Sequence, residues 1–407
     1  MTTMDADVQA PALALTPRRI GVAGIVLGLL AFWIALPPVS ARSVVWPMLF
    51  VVVALAAGVW AITRGEGRIG YGAVTSAVFG ALLGYLATRT SLGHLDVVVV
   101  WGAIFAAMLR YATPLTFAAI GGLFSERSGV VNIGLEGMML TGAFFSVWGD
   151  VQFGSWELGI VAAVIAGGLL ALVHAFFAIQ LRVDQIVGGT AINFLALGIT
   201  GYLFIQIYGE QGTPGSISEI PDVRLHLDKI PPHALGHFLD AAIGQLNLMI
   251  WVSFIVVILA SIVMFRTPVG LRIRSVGEHP RAADTVGISV YAVRYGAVVL
   301  SGMLAALGGA YLTLGFVHSF NEGMTSGRGF IALAALIFGK WRPFGAFGAA
   351  LLFGFSSAIA DRLALAWGTS WQTLFQALPY VLTLVAVAGV IGRSIPPAAV
   401  GRPYKKQ

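Results

Sequence analysis

Between Gly121 and Gly142 the chain reads GGLFSERSGVVNIGLEGMMLTG, placing Glu126, Arg127, Asn132 and Glu136 between long apolar runs. Carboxylate, guanidinium and carboxamide groups at this spacing could hold a polar solute by hydrogen bonds. Ionisable groups at membrane depth are costly, so they face a protein interior or an aqueous path and mark function. Five glycines precede Met138 in the same stretch. Non-helical backbone at that depth is tolerated only where it lines a cavity or is buried in protein. The stretch therefore reads as a broken helix on a solute pathway. A structural role is the alternative, with Glu126 and Arg127 forming an internal ion pair and Glu136 capping backbone freed by the glycines.

The elements that must position these groups are membrane spans. Of the 407 residues 58% are hydrophobic and only 10% charged, with a mean hydropathy of +0.88. A soluble domain carries about 25% charged residues, so the expected fold is all-α and polytopic. The absence of cysteine removes disulfides, thiolate metal sites and cysteine nucleophiles. The net charge of +6 reads as a bias of inner loops rather than as a nucleic-acid surface. Residues 1–16 followed by Pro17, Arg18 and Arg19 resemble the inner flank of a first span, not a cleavable signal peptide.

Apolar runs fall near 20–36, 44–62, 69–87, 95–119, 133–149, 157–180, 186–208, 247–265, 291–317, 329–339, 344–360 and 372–392. The run at 329–339 is short for a crossing, so ten to twelve transmembrane helices are predicted. With both termini inside, most of the 24 basic residues lie on inner loops. Phe117–Leu123 (FAAIGGL) resembles Leu304–Ala310 (LAALGGA), and each is followed by Glu-Gly-Met, at Glu136–Met138 and Glu322–Met324. The two segments run in opposite directions through the predicted topology, the pattern of an inverted repeat around a midplane site. Chance is the alternative, because small-residue runs recur in membrane helices. Residues 1–93, with three spans, fall outside this repeat and read as an N-terminal extension of a core at 94–407.

Residues 265–288 (FRTPVGLRIRSVGEHPRAADTVGI) form the most polar inner loop. Pro280 suits the first turn of a short helix, and a helix between two spans is what a membrane subunit needs to dock a cytoplasmic motor. An ordinary solvated loop is the alternative. This loop, the 121–142 stretch, VDQIVGGTAINFLALGITGYLF at 183–204 and GRGFIALAALIFGKWRPFGA at 327–346 together resemble the permease subunits of bacterial ABC importers. The resemblance covers roughly 94–407. It is to the branch handling simple sugars, nucleosides and branched-chain amino acids, and most to the nucleoside permeases.

The resemblance implies that the 265–288 loop is similar to the coupling helix that sits in a groove of the ATPase. Glu278, Arg281, Ala282, Ala283, Asp284 and Gly287 are the implied coupling residues, with Arg281 where the better-known pattern has glutamate. It also implies a cytoplasmic ABC ATPase, a second permease subunit, an extracytoplasmic substrate-binding lipoprotein and the bacterial cytoplasmic membrane. ATP is expected on the ATPase, with no cofactor in this chain. The four lysines follow no phosphate-loop pattern, so the chain itself is not expected to be an enzyme. For a neutral nucleoside, Asn132, Glu136, Asn193, Asn321 and Glu322 are the candidate hydrogen-bonding groups. The outer loop 209–246, with His226, His233 and His237, suits a docking surface better than a metal site. A secondary transporter is the rival on physics alone, and sugar or amino acid import by the same machine is the nearer alternative.

Overall fold

The computed structural model describes residues 16–34, 43–89, 100–209, 212–213, 215, 217–231, 233–367, 377, 380 and 395–406. It is all-α apart from one short hairpin. Eight helices among the described residues are long and apolar enough to cross a membrane. The predicted run at 372–392 lies outside the described residues.

Contacts divide the chain into two units, Met1–Val100 with Ala360–Arg393, and Trp101–Ile359 with Ser394–Gln407. In the first, helices α1 (Pro17–Ile34), α2 (Val45–Thr63) and α3 (Gly67–Arg89) pack on one another. Small residues set their spacing: a side chain at Gly24 would press on Ala73 and Ala57. Close approach of backbones through small residues is how membrane helices associate. Large apolar side chains such as Val45, Trp46 and Val52 point outward, as a lipid-facing surface requires.

The second unit holds α4 (Trp101–Arg127), α5 (Leu135–Phe153), α6 (Trp156–Gln180) and α7 (Gln185–Tyr208). An outer segment follows, with the short α8 (His233–Leu239) and strands β1 (Asp222–Arg224) and β2 (Gln245–Asn247). The strands pair antiparallel, Val223 opposite Leu246. Then come α9 (Leu248–Arg266), α10 (Pro268–Glu278), α11 (Pro280–Thr285), α12 (Val290–Val317), α13 (Arg328–Phe338) and α14 (Pro343–Trp367), whose residues from Ala360 on belong to the first unit. The last turns of α6 and α12 widen into π-helix, at Phe176–Gln180 and Tyr311–Val317.

Helix α12 is the axis of this unit, with 78% of its most apolar window buried. The two segments of the proposed repeat lie against each other here. Gly121 of α4 meets Ser301 and Leu304, while Gly308 meets Pro114 and Phe117. Helix α4 runs through Gly121 and Gly122 to Arg127 instead of breaking at them, because those glycines serve helix packing. The helical break falls later, at 128–134, where Gly129 takes a left-handed φ of 94°.

The polar loop contains two helices where the sequence predicted one. Helix α10 begins at Pro268, with Thr267 accepting a hydrogen bond from the Gly270 N–H, an N-terminal cap. Gly270, Ile273, Val276 and Gly277 form its buried stripe. Helix α11 begins at Pro280 as the sequence predicts.

Candidate functional site

The seven predicted pathway residues separate into two clusters with different partners. The first is built on the broken segment between α4 and α5. The Asn132 side-chain amide donates to Ser301 Oγ at 2.9 Å, and Asn132 Oδ1 has no partner among the described residues. Ser301 lies about 16 Å along α12 from its start at about 1.5 Å per residue and is fully buried. Asn193 of α7 holds the same segment from the other side. It donates to Ile133 O at 3.0 Å and accepts from Gly137 N–H at 2.8 Å.

Glu136, in the first turn of α5, is the centre of this cluster. Its Oε1 accepts from Thr325 Oγ1 at 2.6 Å and from Gly327 N–H at 2.8 Å, and its Oε2 accepts from Gly329 N–H at 2.6 Å. These donors lie on the loop before α13 and in its first turn. The carboxylate thus fills the positive end of α13, where unpaired N–H groups and the helix dipole favour negative charge. Capping of freed backbone, the structural alternative for Glu136, is what the geometry shows. The backbone it caps is 190 residues away in the chain, not in its own segment.

Along one stripe of α7, Asn193, Leu197 and Gly201 face the broken segment and the 321–329 loop. Leu197 packs by Gly323, and a Cβ at Gly201 would sit 3.8 Å from the Glu322 carboxyl. Asn321 and Glu322 are exposed. An aromatic group lies beside them: the Phe320 ring centroid is 5.3 Å from that of Phe144 and 5.4 Å from that of Phe204. Residues 217–221 close over its outer side. Ser218 N–H donates to Asp150 Oδ2 at 2.8 Å, Ile220 N–H donates to Leu314 O at 3.1 Å, and both isoleucines of this segment are buried.

The second cluster gathers at the end of the unit that carries α10 and α11. Glu126 and Arg127 belong here and do not pair with each other. Glu126 accepts from the Trp341 indole N–H at 2.6 Å. Arg127 donates to the Trp341 carbonyl from Nε at 3.1 Å and from a terminal nitrogen at 2.8 Å. Helix α10 abuts this point, since a side chain on Gly277 would collide with the Arg127 carbonyl.

The chain's last described residues strap the same place. Ala399 N–H donates to Gly277 O at 2.9 Å, Gly401 N–H to Gly129 O at 3.1 Å, and Ala398 N–H to Glu278 Oε2 at 3.1 Å. Arg294, 1% exposed, donates to Ser128 O at 3.2 Å and to Arg402 O at 3.1 Å. Tyr404 stacks edge-on against Tyr291 at 5.7 Å. Desolvation pushes its phenol pKa up, reinforced by a hydrogen bond with Asp284.

Of the predicted coupling residues, Glu278, Arg281, Ala282 and Gly287 are exposed, Asp284 is half-buried against Tyr404, and Ala283 is buried with Val276 and Val290. A cleft of about 540 Å³ runs between Glu278–Ala282 and the 398–405 tail. Val286, 74% exposed, is an apolar surface residue that the sequence reading passed over. So were Trp341, Arg294, Ser301 and Thr325, whose partners lie more than 100 residues away. Among the described residues no group of three or more His, Asp or Glu side chains could hold a metal ion.

Residues 104–387 match the family described as branched-chain amino acid transport system / permease component. The chain is 46% identical over 327 residues to the guanosine ABC transporter permease protein NupQ of Bacillus subtilis, covering 77% of this chain and 99% of that protein. It is 41% identical over 313 residues to the nucleoside ABC transporter permease protein NupC of Lactococcus lactis, covering 74% and 96%. A putative glucose ABC transporter permease protein of Haloferax volcanii is 36% identical over 256 residues, covering 63% and 76%. No solved structure matches. A multi-pass helical chain matched over residues 104–387, with near full-length relatives at 46% and 41% identity, belongs to this family of transport-system permease components.

Proposed function

We propose that this chain is the membrane-spanning permease subunit of an ATP-driven ABC importer that takes up nucleosides. The observation that carries the cargo class is the placement of Glu136. In transporters with broken helices, a half-helix N-terminus at the midplane is where an anionic substrate group is met. Here the protein's own carboxylate already occupies that terminus. A solute without a carboxylate suits such a site better than an amino acid does. Asn321 and Glu322, both exposed, offer hydrogen bonds to a sugar, and the partly exposed ring of Phe204 offers a face to a base, backed by the buried rings of Phe144 and Phe320. The names of the 46% and 41% identical relatives point the same way. Glucose, also uncharged, is the second reading, favoured by the Haloferax relative.

The partners follow from surfaces. The exposed polar loop at Asn321 and Glu322 beside α7, whose most apolar window is only 17% buried, calls for protein rather than lipid against it. A second permease subunit would supply that cover. Helices α10 and α11 would dock a cytoplasmic ABC ATPase that binds the ATP. The outer hairpin region would receive a substrate-binding lipoprotein. The termini then lie on the cytoplasmic side of the bacterial membrane, consistent with the charge bias of the loops. The contact of Phe117–Leu123 with the 301–310 segment supports two halves meeting as an inverted repeat. Residues 1–93 would be an extension to that machine, because the family match begins at 104.

The test is uptake of radiolabelled guanosine and uridine by cells with and without this gene, competed by ribose, glucose and leucine. Nucleoside uptake should be lost on deletion and should resist all three competitors. Unchanged nucleoside uptake with loss of sugar or leucine uptake would move the cargo.

A further inference from the structure

We infer that α13 is a strut carrying displacement between the coupling loop and the Glu136 site, with Trp341 and Glu136 as positioning residues at its two ends. The inference rests on the permease reading above, since it needs the 267–288 helices to be where force enters.

At one end every polar group of Trp341 is engaged. Its N–H bonds Leu336 O and closes α13, its indole N–H meets Glu126, and its carbonyl takes both donors of Arg127. Lys340 and Trp341 are both in the left-handed region, at φ 55° and 52°, a conformation that non-glycine residues hold only where the surroundings enforce it. Gly277 of α10 lies on the Arg127 carbonyl, so a shift of α10 acts on α4 at the residue that grips Trp341. At the other end Glu136 holds Thr325, Gly327 and Gly329. A side chain at Gly329 would strike the Glu136 backbone, so there is no slack in that contact either. The eleven residues between span about 16 Å, which is too far for direct contact. Leu336 and Leu333 lie along Gly122 of α4, which gives the strut a track.

The test is amide exchange by the purified full chain in lipid nanodiscs, together with uptake by the assembled importer. Trp341→Phe keeps the ring but deletes the indole donor to Glu126. Exchange at residues 327–331 should rise about tenfold, the order expected for loss of one hydrogen bond, although the change is made at the far end. Glu136→Gln should likewise raise exchange at 339–342. Uptake should fall in each variant, and the double variant should be no slower than the slower single one, as two cuts in one rod would be. Loosening confined to the altered end, or losses that multiply in the double variant, would overturn the strut. If Trp341→Phe does not fold, Glu126→Gln replaces the acceptor carboxyl at the same bond and is read in the same way. Exchange is independent of cargo, so the two readings fail separately. Absent nucleoside uptake with cross-end exchange intact removes the cargo, whereas own-end loosening with normal uptake removes only the strut.

Discussion

Two glutamates that look alike in the sequence, each in a Glu-Gly-Met triplet, have different surroundings. Glu136 accepts three hydrogen bonds, while Glu322 stands exposed beside Gly201. A glutamine at 136 keeps one acceptor oxygen and turns an N–H₂ toward backbone donors. Glu136→Gln should therefore destabilise the protein by about 2 kcal/mol, the scale of charge-assisted bonds lost in a buried site. A fall in melting temperature checks this. Glu322→Gln should leave the melting temperature alone and raise the KM for uptake. Equal melting shifts in both would contradict the assigned roles. At the other cluster, the Tyr404 phenol has its pKa raised by desolvation and by Asp284. A raised value means that the neutral phenol is favoured in the folded state. The stabilisation is complete below the ordinary tyrosine pKa near 10 and is lost as pH climbs through the raised one. Protease sensitivity of residues 395–406 should therefore increase at strongly alkaline pH in the unaltered protein. In Tyr404→Phe that phenol titration should disappear. That Glu126, Arg127, Asn132 and Glu136 would find partners inside the fold was readable from their type and their place between apolar runs. Their partners were not, because Glu136 to Gly329 and Glu126 to Trp341 are contacts across roughly 200 residues that only tertiary packing creates.

Among the elements, the long spans were legible because length and hydropathy alone decide them. Runs predicted at 186–208, 247–265 and 291–317 became helices 185–208, 248–266 and 290–317. The short run at 329–339 became the eleven-residue α13, a half-helix and not a crossing. The break expected within 121–142 falls at 128–134, beyond Gly121 and Gly122, which serve helix packing instead. Helix α10 went unseen because arginines at 272 and 274 mask an apolar stripe that the spacing of Gly270, Ile273, Val276 and Gly277 does contain. The two helices of that loop expose Leu271 and Val286 as apolar side chains, which is unusual on a polar loop facing water and is expected of a docking face. Val286→Asp should abolish co-purification of the ATPase partner while the melting temperature stays put, since the side chain is 74% exposed. Retained co-purification would place docking elsewhere.

At the largest scale, the second unit holds one cluster built around Glu136 and another around Trp341, with α12 packed against α4, α5 and α6. Neither cluster contains a metal-binding group or a phosphate loop among the described residues. A secondary carrier would be driven by an ion gradient instead of ATP and would have no use for a docking face. The most direct measurement is guanosine accumulation in proteoliposomes holding this chain with its ATPase, second permease and binding protein. Accumulation should require internal or external ATP on the ATPase side only, and should survive collapse of proton and sodium gradients. Accumulation driven by a gradient without ATP would contradict the assignment as an ABC importer.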